Sequence, residues 1–301
     1  MTLLASQWDN GSAVDAGAVI WIKGADGSLA SDINSLAPSL WAFGDVSAAN
    51  ALVGSSANDD LGAAYRQLSP YYSSDPGALL LATPGWDSAG LEDVGAVTWI
   101  SGATGRFSSG LAERGEIGPA NSLVGSSAGD QIGNNVSTTQ DYGFGAYSAD
   151  PNVVLRSFNW DNATAQDAGA LTWINGLSGK LATGADSAGS ISASNSLVGA
   201  SAGDLSGSSV IQLSSSYYSS TSFVALAAPS WDASPSATDA GALTWINLTT
   251  GVLANGLPAV GSLGPLTSLV GQSQADSIGS SYITYKYNYY DISRLILTST
   301  A

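Results

Sequence analysis

Apolar residues in this chain come in short bursts of Val, Leu, Ile, Ala and Trp, broken by Gly, Asp, Asn and Ser. Between residues 150 and 215 the bursts fall at 153–158, 169–174, 195–200 and 209–213. β-branched and aromatic residues fill them, while turn formers fill the gaps, which predicts strands separated by tight turns. No stretch carries a helical period of apolar positions. The pattern predicts an all-β protein.

The bursts also repeat. Asp15-Ala-Gly-Ala-Val-Ile-Trp21 recurs as Asp93-Val-Gly-Ala-Val-Thr-Trp99, Asp167-Ala-Gly-Ala-Leu-Thr-Trp173 and Asp239-Ala-Gly-Ala-Leu-Thr-Trp245. From Gly17 to Gly95, Gly169 and Gly241 the periods are 78, 74 and 72 residues. A Trp-Asp pair precedes each string, at Trp8-Asp9, Trp86-Asp87, Trp160-Asp161 and Trp231-Asp232. A Leu-Val-Gly element follows each, ending at Gly54, Gly125, Gly199 and Gly271, and then an Asp with a Gly three residues on: Asp59/Gly62, Asp130/Gly133, Asp204/Gly207 and Asp276/Gly279. These are four tandem copies of one unit, approximately 2–65, 66–136, 137–210 and 211–281, within a single repeat domain spanning 1–301. Each unit reads as two related hairpins, and four antiparallel strands per unit is the content of a propeller blade. A linear stack of blades uses the same hairpins and is the alternative.

Apolar strand, Ala-Pro-like turn, acidic turn and Gly-Ala-Val-x-aromatic strand together resemble the FG-GAP repeat of integrin-α-type β-propellers. The Ala-Pro element survives as Ala82-Thr83-Pro84 and Ala227-Ala228-Pro229, and the Phe-Gly element as Ile132-Gly133 and Ile278-Gly279. The Asn-Ser-Leu-Val-Gly and Trp-Asp strings, spanning nearly the whole chain, also resemble the tandem repeats of bacterial filamentous-haemagglutinin-type adhesins. These resemblances imply a surface or adhesive role. The FG-GAP calcium loop, Asp-x-Asp/Asn-x-Asp-Gly, has no counterpart here; Tyr71-Tyr-Ser-Ser-Asp75 and Tyr217-Tyr-Ser-Ser220 stand in its place.

Composition narrows the function. The net charge is −16, from 24 acidic and eight basic residues, a field that repels a phosphate backbone and argues against nucleic-acid partners. There is no Cys and no His, which removes disulfides, thiolate metal sites and the commonest general base. Charged residues make up 11% of the chain, against about 25% in ordinary soluble domains, and the polar remainder is Ser, Thr, Asn and Gly, which suits an extracellular or cell-surface location. The apolar runs are too short to insert into a membrane.

Three candidate sites follow. The pairs Asp9/Asp15, Asp87/Asp93, Asp161/Asp167 and Asp232/Asp239 share one turn per repeat, where their oxygens either converge on Ca²⁺ or cap the turn by accepting backbone N–H groups; capping is the favoured reading. Trp8, Trp86, Trp160 and Trp231 sit at strand ends, where an exposed indole stacks on a sugar ring and a buried one fills the core. The C-terminal segment 282–301 is expected to supply closing or donor strands, with Arg294, Leu295, Ile296 and Leu297 as an unpaired strand able to join another chain. Gly125-Ser-Ser-Ala-Gly129 and Gly199-Ala-Ser-Ala-Gly203 match the hydrolase string Gly-x-Ser-x-Gly, but without His they read as turns. The expectation is a non-enzymatic, extracellular structural or adhesive module whose partners are itself, other repeat chains, glycans or a host surface. A calcium- or carbohydrate-binding propeller is the alternative.

Overall fold

The structure is a computed structural model that describes residues 1–32, 40–69, 76–138, 151–213, 223–285 and 294–297. No helix occurs among them, and every regular element is a strand. The first repeat supplies β1 (Thr2–Ala5), β2 (Ala18–Trp21) and β3 (Leu52–Val53). The second supplies β4 (Ala64–Leu68), β5 (Ala78–Thr83), β6 (Ala96–Ser101), β7 (Gly115–Glu116) and β8 (Leu123–Val124). In the third lie β9 (Asn135–Thr138), β10 (Val153–Ser157), β11 (Ala170–Ile174), β12 (Gly189–Ser190) and β13 (Leu197–Val198). The fourth holds β14 (Ser209–Gln212), β15 (Phe223–Ala228), β16 (Ala242–Asn247), β17 (Val252–Leu253), β18 (Gly261–Ser262) and β19 (Leu269–Val270). A hairpin of β20 (Tyr282–Tyr285) and β21 (Arg294–Leu297) follows.

The chain divides into two compact units, residues 1–135 with 176–180 and 186–190, and the remainder. The first unit holds the sheets β1-β2-β3-β7 and β12-β8-β6-β5-β4. The second holds β18-β13-β11-β10-β9 and β14-β15-β16-β17, with β19 also on β16.

The register repeats as the sequence does. The strand before each Trp-Asp pair runs antiparallel to the Gly-Ala-Val/Leu strand, as in Leu80↔Trp99, Val154↔Trp173 and Ala225↔Trp245. The Leu-Val strand then pairs antiparallel with the start of that strand. Its other edge pairs in parallel with a two-residue strand of the following repeat: β3 with β7, β8 with β12, and β13 with β18. Successive repeats are therefore hydrogen-bonded edge to edge, a link that self-contained four-stranded blades do not make. No sheet among the described residues closes into a barrel.

Strands β6 and β11 are buried along almost their whole length, on both faces. That is why their apolar runs are continuous and do not alternate with polar residues. In the first unit Val19 and Leu52 of one repeat pack with Ile100, Phe107 and Ile117 of the next. In the second unit Leu171 and Leu197 pack in the same way with Ile246, Leu253 and Leu263. Each of these cores is built jointly by a repeat and its successor, the successor giving the larger share.

Candidate functional site

The residues that recur in every repeat converge on its turns. In each Asp pair the first carboxylate accepts the backbone N–H of the second: Asp15 N to Asp9 Oδ1 at 2.9 Å, Asp93 N to Asp87 at 2.9 Å, Asp167 N to Asp161 at 2.8 Å and Asp239 N to Asp232 at 2.8 Å. The second Asp is left-handed in every copy, with φ between 51° and 55°. Asp tolerates that region better than most residues because its short side chain bonds locally. Each pair thus folds its turn by the capping bond expected of it.

A second carboxylate does more. Asp59 Oδ2 accepts the N–H groups of Ser55 and Ser56 at 2.7 and 2.8 Å, while Oδ1 reaches the N–H of Asp87 in the next repeat at 3.3 Å. Asp204 does the same with Ala200 and Ser201 at 2.7 and 2.8 Å, and with Asp232 of the next repeat at 3.1 Å. Asp130 takes Ser126 and Ser127 at 2.7 and 2.9 Å, and Asp276 takes Gln272 and Ser273, both at 2.9 Å. Asp59 and Asp204 are buried, and loss of hydration pushes both carboxyls above the ordinary value of 3.8 despite three N–H bonds each. Exposed Asp276 is instead lowered by its two N–H bonds. Each of these Asp residues clamps its own turn, and Asp59 and Asp204 also hold the start of the next repeat.

A tryptophan–glycine contact joins the same repeats. Trp21 lies so close to Gly105 that an added Cβ would stand 2.4 Å from its ring; Trp99 meets Gly179 and Trp173 meets Gly251 at 2.5 Å. All three glycines are left-handed, with φ of 62°, 68° and 70°, so both conformation and space demand glycine. Each indole N–H is also bonded: Trp21 Nε1 to Gly102 O at 3.0 Å, Trp99 to Gly176 O at 2.8 Å and Trp173 to Leu248 O at 2.8 Å.

The profile of a repeat family described as "Repeat of unknown function (DUF5650)" matches residues 3–39, 41–63, 76–134, 148–208 and 219–280. The chain belongs to this repeat family. The first two matched segments fall within the first repeat, and the other three correspond to the second, third and fourth. No curated protein matches the chain. Family membership carries neither an adhesin nor an FG-GAP assignment.

Inside and outside the matched DUF5650 segments, the other candidate residues are placed as follows. Trp86, Trp160 and Trp231 are buried, at 4%, 4% and 5% exposure, and Trp8 is half-buried. Trp86 and Trp231 belong to the core clusters, so their ring faces are spent on packing and do not present a sugar platform. Arg294, Leu295, Ile296 and Leu297 are not a bare strand: they pair antiparallel with Leu297↔Tyr282 through Arg294↔Tyr285. Local hairpin closure captures the strand. The Gly-x-Ser-x-Gly strings are turns whose Ser127 and Ser201 N–H groups bond to Asp130 and Asp204. Tyr71, Tyr72, Tyr217 and Tyr218 lie outside the described residues.

Two features had no part in the sequence expectations. Thr98 and Ser122, Thr172 and Ser196, and Thr244 and Ser268 form hydroxyl pairs at 2.5–2.6 Å, the first two pairs buried. In the first repeat Ile20 and Ala51 replace both members together, which leaves no orphaned hydroxyl. The Glu113 carboxyl is buried, with Oε2 accepting the Trp21 N–H at 3.1 Å. Burial raises it well above the usual carboxylate range.

Proposed function

We propose that this chain is an extracellular structural or adhesive module, built to present loops from a repeating β scaffold. One observation carries this reading: the recurring residues serve chiefly the scaffold itself. The first Asp of each pair caps its turn, Asp59 and Asp204 clamp the next repeat, the strand tryptophans of the first three repeats seat on glycines of the next, and the Leu-Val strands of those repeats complete shared cores. The low-charge, Ser/Thr/Asn-rich composition supports an extracellular setting.

The test is labelling of intact source cells with antibody against the chain, with and without external protease. Surface signal that protease removes is expected. A signal seen only after the cells are opened would overturn the location, and with it the adhesive role.

A further inference from the structure

The fourth repeat has the same docking features as its predecessors, yet they lie open. Leu52, Leu123 and Leu197 are all 0% exposed, whereas the equivalent Leu269 is 59% exposed and Leu266 beside it 88%. Strands β3, β8 and β13 each have a parallel neighbour, whereas β19 has an antiparallel neighbour on β16 alone among the described residues. Among the described residues Trp245 seats on no glycine; it is half-buried and stacks on Phe223 at 4.8 Å.

The first repeat carries the complementary features, also open. Gly24 and Gly27 follow Trp21 at the same spacing at which Gly102 and Gly105, the receivers of the Trp21 indole, follow Trp99. Nothing lies within 4 Å of a Cβ built on either Gly24 or Gly27. Gly27 is left-handed at φ 76°, like its counterparts. Gly44-Asp45 matches Gly115-Glu116, Gly189-Ser190 and Gly261-Ser262, and Gly44 shares the positive φ of those glycines at 89°, but no described strand pairs with it. Ile22, Leu29 and Val46 occupy the positions of Ile100, Phe107 and Ile117 and line a groove of about 120 Å³. In the later repeats that groove is filled by a Val or Leu and by the Leu of the preceding repeat.

We infer that the open face of the fourth repeat receives the first repeat of a second copy of this chain, through the same junction the chain uses internally. Trp245 covers Gly27 and donates to the Gly24 carbonyl. β19 pairs in parallel with Gly44-Asp45, and Leu243 and Leu269 fill the groove of Ile22, Leu29 and Val46. Continuity with the internal junctions selects this occupant, because each element of one face has its counterpart on the other. The same register makes β1 of the incoming copy equivalent to β21, so docking exchanges β21 for β1 on β20. This names a partner for the structural role proposed above and rests on that reading. The contact is heterologous, so it propagates from copy to copy.

Sedimentation velocity of the full chain over a range of concentrations tests it. The wild type is expected to form dimers and longer species as concentration rises. Trp245→Ala and Gly27→Asn should each weaken association at least about tenfold, the loss of roughly 1.4 kcal/mol. Asn tolerates the left-handed conformation, so Gly27→Asn blocks the contact without breaking the hairpin. An equimolar mixture of the two variants should give a dimer and nothing larger, because one intact junction remains. A wild type that stays monomeric to about millimolar concentration, or variants that associate as it does, would overturn the inference. Monomeric behaviour would leave the cell-surface labelling result unaffected, so the two proposals fail separately.

Discussion

The third and fourth repeats carry the same residues at the same turns, and their surroundings differ. Asp204 is buried, clamps Asp232 of the next repeat and has its carboxyl pushed upward; Asp276 is exposed and has its carboxyl lowered. Trp173 is 4% exposed over Gly251, whereas Trp245 is half-buried with no glycine beneath it among the described residues. The difference is the packing of a following repeat, which covers the third and, among the described residues, does not cover the fourth. A repeat's own sequence sets its strands and turns, while the burial of its Leu-Val edge, its tryptophan and its clamping Asp comes from the repeat that follows. This is the nearest-neighbour logic of repeat proteins, in which stability is a sum of unit and interface contributions.

The largest expected contrast is between the two tryptophans. Trp173→Ala should cost about 3–5 kcal/mol in urea-induced unfolding, as large-to-small changes in cores do. Trp245→Ala should cost about 1 kcal/mol, the scale of an aromatic pair such as its stack on Phe223. Equal losses would break the comparison. Next comes the clamp: Asp204→Ala strands three N–H groups and should cost about 2–3 kcal/mol, whereas Asp276→Ala at its exposed turn should cost clearly less. The hydroxyl pair sharpens it further. Thr172→Val and Ser196→Ala should each cost about 1–2 kcal/mol alone, and the double variant should recover most of that, as Ile20 with Ala51 does in the first repeat.

Proton linkage distinguishes the same two Asp residues. Asp204 and Glu113 bind their protons more tightly folded than unfolded. Their contribution is therefore fully present below the ordinary carboxylate values and is lost as pH rises through the raised ones. Asp276 is opposite: its contribution is present above 3.8 and is lost as pH falls through its lowered value. Glu113→Gln should thus gain on the wild type most at neutral pH, and the gap should close on acidification; a gap independent of pH would contradict the buried carboxyl. The smallest expected effect is that of EDTA. With one oxygen of the first Asp in each pair already bonded to the backbone N–H of the second, chelation should leave Tm unchanged, and a fall in Tm would revive calcium at those turns.

Much of this was legible in the chain itself. The segments at 153–158, 169–174 and 209–213 coincide with β10, β11 and β14 to within a residue or so, because continuous apolar runs between turn formers have few alternatives. The capping of Asp9, Asp87, Asp161 and Asp232 followed from turn chemistry. What was hidden is contact between repeats. Gly115-Glu116 and Gly189-Ser190 are two-residue strands with no alternation to announce them, and their parallel pairing depends on a neighbour in the fold. Burial of Trp86, Trp160 and Trp231 likewise depends on packing that a strand-end position does not reveal. One signal was present and unread: a Gly six residues after each strand tryptophan, at Gly27, Gly105, Gly179 and Gly251, which is the seat for the preceding repeat's indole.

Amide hydrogen exchange on the native chain, at a dilution where it is monomeric, tests most directly whether successors supply the closure. The Gly261 and Leu263 N–H groups, bonded to Ser196 and Val198 of the preceding repeat, should exchange only through unfolding. Their first-repeat equivalents at Gly44 and Val46 should exchange orders of magnitude faster. Equal protection at both places in the monomer would show that a repeat closes its own edge, and would contradict the account.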